Sequence, residues 1–288
     1  MDIRQFLFIG LLLFSALAEG QSLLWQIEGN GLTKPSYLFG TLHLGSKQVI
    51  NFDSTVIEKM QSCDAFAMEL NPDSYESYEL FQLLQLPDSL LATNLLDSQQ
   101  NSILDSAFNT LGAGNGASLK AFYPIVVSTL FVQSSLESNN VTQVSVDIYL
   151  RQRAQWAGLK VYSLEKLDEQ ARVLKAIPIK EQYEELLAVI QGDSETEDLT
   201  LLESYYLNQQ LMAMYHYTLE NGQWKNGMDS LLLDQRNEVM LERTLNIWEN
   251  QSVFITVGAA HLPGKNGLIE LFRKHGYQVT PIKFEFNK

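Results

Sequence analysis

The stretch Tyr37–Gly45, YLFGTLHLG, decides how this chain is read. It is an apolar, β-type run that reaches Gly40 and then presents His43, Leu44 and a turn glycine. The same arrangement returns 218 positions later, where Val253–Gly264 reads VFITVGAAHLPG. Gly40 corresponds to Gly258, and His43 to His261. A histidine after one strand is often satisfied by a backbone carbonyl. Two matched Gly-x-x-His-Leu turns in a chain with four histidines point instead to a shared site.

The strands around these turns set the fold class. Leu23–Gly29 and Tyr37–His43 read as a hairpin with Asn30-Gly31 and Pro35 between them. Ala65–Leu70 (AFAMEL) alternates, placing Ala65, Ala67 and Glu69 on one face. Leu159–Glu165 (LKVYSLE), Val253–Gly258 and the final YQVTPIKFEF complete the strand set. Helices are expected at Val56–Met60, Tyr75–Leu86, Gln99–Leu111, Pro124–Leu136, Ser145–Gly158 (with Arg151 and Arg153 exposed), Leu167–Gln191 with a break near Pro178, Leu199–Glu220 as one long helix, Ser230–Asn250 and Gly267–His275. Gly112–Ser118 reads as a linker, because no strand leads in and no Gly-Lys-Ser/Thr follows. The expectation is an α/β (mixed α+β) protein, with a central mixed sheet flanked by helices. Strands gather near both chain ends around a largely helical middle (about 73–250), interrupted by the strand at 159–165.

Composition narrows the function. The formal net charge of −14 repels nucleic acid and anionic membrane surfaces and is compatible with binding a cation. Residues 1–18 read as a signal peptide: Arg4, then an apolar run from Phe6 to Ala18 with Ala16-Leu17-Ala18 as a cleavage site. That run is short for a membrane span, and no second span follows. The mature chain, 19–288, is expected to form one exported domain, periplasmic or secreted. The single Cys63 excludes an intrachain disulfide. Asn140-Val141-Thr142 and Asn250-Gln251-Ser252 fit the glycosylation sequon.

Four strands end in a side chain able to bind a metal or a proton: His43, Glu69, Glu165 and His261. In helix-flanked sheets, ligands collect beyond the carboxyl ends of the strands. If these strands are parallel neighbours, their ends converge. Two imidazoles and a carboxylate then form a three-ligand set with an open position. A divalent ion there would activate water and polarise a carbonyl, which is hydrolase chemistry. Arg236 opens a helix, where its charge opposes the helix dipole. It can pair with Glu165 or Glu69, or clamp a carboxylate or oxyanion. Asp147 is a weaker candidate that also suits a helix start. His216, among tyrosines, reads as packing, and His275 before Gly276 as a helix cap.

The segments Ser36–Gly45, Cys63–Asp73, Gly158–Gln170, Asp234–Met240 and Val253–Ile282 resemble the TraB/GumN family in family order. That family includes the TIKI metalloproteases, and its fold is related to erythromycin esterase-like and haem-binding ChaN-like proteins. The resemblance implies a metal-dependent hydrolase with His43, His261 and Glu69 as the active site, and a divalent ion such as manganese, cobalt or zinc. It implies a peptide or other small substrate. Gly112–Pro124 departs from the family pattern.

Two readings follow. In the first, His43 and His261 bind the ion, Glu69 is a third ligand or the general base, Arg236 orients substrate, and Glu165 holds Arg236. In the second, the same pocket captures a peptide or haem without turnover. The residues alone leave both open.

Overall fold

The computed structural model describes residues 22–110, 119–138, 143–192, 196–221, 230–249 and 251–287. The signal-peptide stretch, the Gly112–Ser118 linker, the sequon at Asn140 and the Asn250 of the second lie outside them.

Six strands form one sheet: β1 (Leu24–Glu28), β2 (Ser36–Thr41), β3 (Ala65–Met68), β4 (Lys160–Ser163), β5 (Val253–Gly258) and β6 (Gln278–Ile282), in the order β4-β3-β5-β2-β1-β6. The first four in that order are mutually parallel. β1 is antiparallel to both of its neighbours, so the hairpin expected at the start of the chain is present. The fold is therefore mixed α/β, as read from the sequence. Parallel strands buried on both faces need unbroken apolar runs. β2 meets this along its whole length, and β5 is buried from Val253 to Val257. Phe66, Phe254 and Phe39 stack across β3, β5 and β2 with centroids 6.2 Å apart at each step. Each such ring contributes about 1.5–3 kcal/mol on burial, so the middle of the sheet is its most strongly held part.

The helices are α1 (Ser54–Gln61), α2 (Ser77–Leu83), α3 (Ala92–Leu95), α4 (Ser98–Thr110), α5 (Pro124–Ser138), α6 (Val146–Trp156), α7 (Leu167–Ala176), α8 (Ile179–Gln191), α9 (Thr196–Leu207), α10 (Leu211–Asn221), α11 (Gln235–Trp248) and α12 (Leu268–Lys274). A five-residue π-helical turn, Ser230–Asp234, leads into α11. The helical middle has its own apolar cluster, with Leu104, Phe108, Tyr123, Val127, Tyr183 and Leu186 packed between α4, α5 and α8.

Some expectations need correction. The single helix over Leu199–Glu220 is two helices. Gln209 between them adopts φ +53°, a left-handed conformation that a non-glycine residue takes only under outside constraint. The constraint is tertiary: its side-chain amide donates to the Phe284 carbonyl at 2.8 Å. Arg151 is not exposed, because its guanidinium turns onto Asp73 at 2.7 Å and its side chain is 14% accessible. The last strand ends at Ile282. Beyond it Phe284 and Phe286 enter an aromatic cluster around Phe52. Cys63 is buried, and burial, with Asp64 beside it, raises the thiol to about 12. Near neutral pH it stays a protonated thiol. His275 caps its helix, with Nδ1 2.9 Å from the Leu271 carbonyl.

Candidate metal and hydrolase site

The sheet order puts β5 between β2 and β3, and β4 beside β3. The carboxyl ends of all four parallel strands therefore share one edge, with Gly258 opposite Thr41 in register. β2 stops at Thr41 and β3 at Met68. His43 and Glu69 thus sit in the turns just past the strands, and His261 ends a short 3-10 turn after Gly258.

Gly258 is the floor of the site. A Cβ there would lie 3.4 Å from Glu69 Oε1, 3.5 Å from His43 Nε2 and 3.7 Å from His261 Cδ2. Sequence-distant turns are thereby brought around one small space, which only a residue without a side chain leaves clear. Gly40 serves packing instead. A Cβ at that position would stand 3.1 Å from the Ala259 Cα and from Leu262 Cδ2. Its carbonyl accepts the buried Tyr206 hydroxyl at 3.0 Å.

Each imidazole is held through its far nitrogen. His43 Nδ1 lies 2.8 Å from Asp147 Oδ2, while the Thr41 hydroxyl donates to Asp147 Oδ1. A carboxylate only accepts, so His43 carries its proton on Nδ1 and directs Nε2 toward Gly258. His261 Nδ1 lies 2.7 Å from Asn237 Oδ1. The Asn237 amide nitrogen donates to the Asn266 carbonyl at 2.8 Å, which fixes its oxygen toward the ring and the His261 proton on Nδ1. Outer carboxylate and amide partners of this kind orient histidines that bind metals.

The two rings differ electrostatically. Burial pushes His261 down to about 4, and Glu69 only partly offsets it. At neutral pH its Nε2 is an open lone pair, 3.7 Å from Glu69 Oε1. Asp147 instead raises His43 well above its ordinary value. The His43 side chain is 67% accessible, so solvent screening tempers that pull. A proton and a cation would compete for its Nε2.

Glu69, Glu165 and Arg236 form one buried ion cluster. Arg236 Nε and Nη2 grip both Glu165 oxygens at 2.7 and 2.6 Å, and Nη2 also donates to Glu69 Oε2 at 2.6 Å. Nη1 donates to the Leu232 carbonyl at 3.2 Å. These four bonds use four of the five guanidinium N–H groups. The Gly258 N–H donates to Glu69 Oε1 at 2.6 Å. Burial opposes ionisation of Glu69, but His261, Arg236, His43 and that amide outweigh it and hold the carboxyl at about 2.

All five sequence-named residues thus meet at one edge of the sheet, with Glu165 reaching the centre only through Arg236. Asp147 and Asn237 were the residues whose roles the sequence under-read. Asp147 lies at a helix start on α6 and Asn237 in the first turn of α11, where Asp and Asn have ordinary local uses. Adjacency of Asn237 to Arg236 was the only available signal. A cleft of about 370 Å³ opens here, lined by His43, Glu69, Asp147, Gln170 and Arg236 among others.

Does this donor set fit a metal? Among the described residues no three histidine, cysteine, aspartate or glutamate side chains are closed around one point as a ready ion cage. The chemistry nonetheless suits a divalent cation. Two imidazoles are aimed by Nδ1 anchors, a carboxylate is kept ionised, and two acidic side chains (Glu69 and Glu165) share one arginine. The His261 lone pair and Glu69 Oε1 are two acceptors facing each other, an arrangement a cation between them would relieve.

The profile of the TraB/PrgY/gumN family matches residues 23–281. The chain belongs to that family. Curated TraB/PrgY/gumN-like relatives include "Metalloprotease TIKI2" of Danio rerio, 23% identical over 90% of this chain and 60% of the relative. "Metalloprotease TIKI2" of Xenopus tropicalis is 22% identical over 90% of this chain and 59% of the relative. "Metalloprotease TIKI1" of Danio rerio is 24% identical over 90% and 62%. The chain thus spans about three-fifths of the length of these relatives. No solved structure matches it significantly. Among the described residues no helix is long and apolar enough to cross a membrane.

Proposed function

We propose that this member of the TraB/PrgY/gumN family is an exported, metal-dependent hydrolase acting on peptides. The observation that carries the reading is the gathering of His43 Nε2, His261 and Glu69 Oε1 around Gly258. The relatives named metalloproteases support it at low identity, and the apolar run near the N-terminus supports export.

In this reading His43 and His261 would hold the ion. When bound, a divalent ion such as manganese, cobalt or zinc supplies Lewis acidity that activates water near neutral pH. Asp147 and Asn237 keep the rings aimed and their Nδ1 protonated. Glu69, which accepts from Arg236 and from the Gly258 amide, would be a third ligand or the general base for the activated water. Arg236 keeps Glu69 ionised and fixed, and Glu165 locks Arg236 in place. The one remaining Arg236 N–H can orient a substrate carbonyl.

The test is metal content and cleavage of a peptide library by the mature chain, with His43→Ala and His261→Ala beside it. Loss of manganese binding and of cleavage in both variants is expected. Unchanged metal content and unchanged products in both would sink the reading. Tight peptide retention with no product in added manganese would make the chain a binding protein.

A further inference from the structure

A second cavity meets the first at His43, Leu232 and Arg236. It measures about 390 Å³ and lies on the His261 side of the site, within the usual range of ligand pockets, roughly 300–1,000 Å³. Its walls are Leu42, Leu202 of α9, Met214 and Leu219 of α10, and Leu232 and Leu233 of the π-helical turn. Gly258 and His261 stand at its inner end.

Its two side-chain hydroxyls are already committed. The Thr41 hydroxyl donates to Asp147 and the Thr218 hydroxyl to the Met214 carbonyl at 2.9 Å. Apart from the histidines, Arg236 is the only charged residue among the described lining, and Glu69 and Glu165 share its charge. Against the leucine and methionine walls, away from Arg236 and the histidines, a charged side chain would lose its water and gain no partner. The first cleft differs: Ser145, Asp147 and Gln170 line it beside the apolar residues.

We infer that the second cavity is a specificity subsite for one large apolar side chain of the substrate, adjacent to the bond to be cleaved. This inference rests on the hydrolase reading and names the substrate class: peptides with leucine, methionine or phenylalanine beside the cleaved bond. Leu202 and Leu219, half-buried on facing helices and outside the ion cluster, are the specificity-determining residues.

The experiment is positional mapping of products from a randomised peptide library, with the mature chain in manganese. Leucine, methionine or phenylalanine should exceed aspartate and lysine by about tenfold or more at one position flanking the cleavage. Leu219→Trp and Leu202→Trp should shift that position toward alanine and glycine. Efficient cleavage with a flat profile overturns the subsite and leaves the hydrolase reading intact. If nothing is cleaved, the hydrolase reading fails and the cavity is probed directly. In chain labelled at the methionine methyls, N-acetyl-leucinamide should shift the Met214 resonance saturably, and N-acetyl-aspartamide should not. Leu219→Trp should abolish the shift. No saturable shift, or equal shifts with both probes, overturns the subsite.

Discussion

His261 Nδ1 is anchored on Asn237 Oδ1 at 2.7 Å, and Asn237 is in turn fixed by the Asn266 backbone. Asn266 is tied to Asp234 at 2.8 Å, in the turn that precedes α11. The ring of one Gly-x-x-His turn is therefore oriented by the helix that also delivers Arg236.

If that anchor sets the tautomer, Asn237→Leu should weaken manganese binding by about 10–100-fold. Leucine keeps the branching at Cγ and cannot accept the Nδ1 proton. Titration calorimetry on the wild-type and variant chains checks it. Wild-type affinity in a folded Asn237→Leu protein would refute the anchor's role.

Arg236 pairs with two buried carboxylates at once. Glu69 and Glu165 have side chains 10% and 2% accessible. Arg236→Met should cost about 3–5 kcal/mol, because it strands both charges in the interior. Glu165→Gln should cost less, since Arg236 keeps Glu69 as partner. Urea unfolding gives both numbers, and a reversed order would contradict the geometry.

The two motif glycines should separate. Gly40→Ala drives a methyl against the Ala259 backbone at 3.1 Å, an overpacking cost of about 1–3 kcal/mol. Gly258→Ala places its methyl at 3.4–3.7 Å from Glu69, His43 and His261, ordinary contact distances. The Gly258 variant should stay folded and lose manganese affinity, whereas the Gly40 variant should lose mainly stability. Thermal melts paired with metal titrations would expose equal behaviour if the distinction is wrong.

Away from the site, Lys34 and then the Ser252 amide and hydroxyl hold Asp64 down at about 2. A depressed carboxyl stabilises the fold above its ordinary value near 3.8, and that stability is lost as pH falls toward about 2. Asp64→Asn should therefore flatten the acid side of the stability profile between pH 4 and pH 2. Denaturant midpoints across that range test it. Parallel wild-type and variant profiles would count against the assignment.

Much of this architecture was legible because its signals are local. Buried strands show as apolar runs, so β2, β3 and β5 could be placed within a residue or two. Glycine and proline punctuation located most helix ends. The break at Gln209 was not legible, because nothing in the Leu199–Glu220 pattern opposes a continuous helix. A contact with Phe284, 75 positions away, imposes it. Arg151 failed for the same reason. Its partner Asp73 comes from a turn 78 positions earlier.

The sequence by itself determined the mixed α/β class and which ionisable side chains stand at the strand ends. The echo of Gly40-x-x-His43 in Gly258-x-x-His261, with Glu69 and Glu165 at strand ends, is a property of residue types and spacing. Tertiary structure decided the rest. The sheet order seats Gly258 between the ends of β2 and β3. Helix packing brings Asp147 and Asn237 onto the outer nitrogens of the two histidines. Arg236 spans both carboxylates only because α11 approaches the same edge. Spacing along a chain fixes which groups are available. Which of them share a few ångströms of space, and with what charge, follows from burial and hydrogen bonding across residues far apart in sequence.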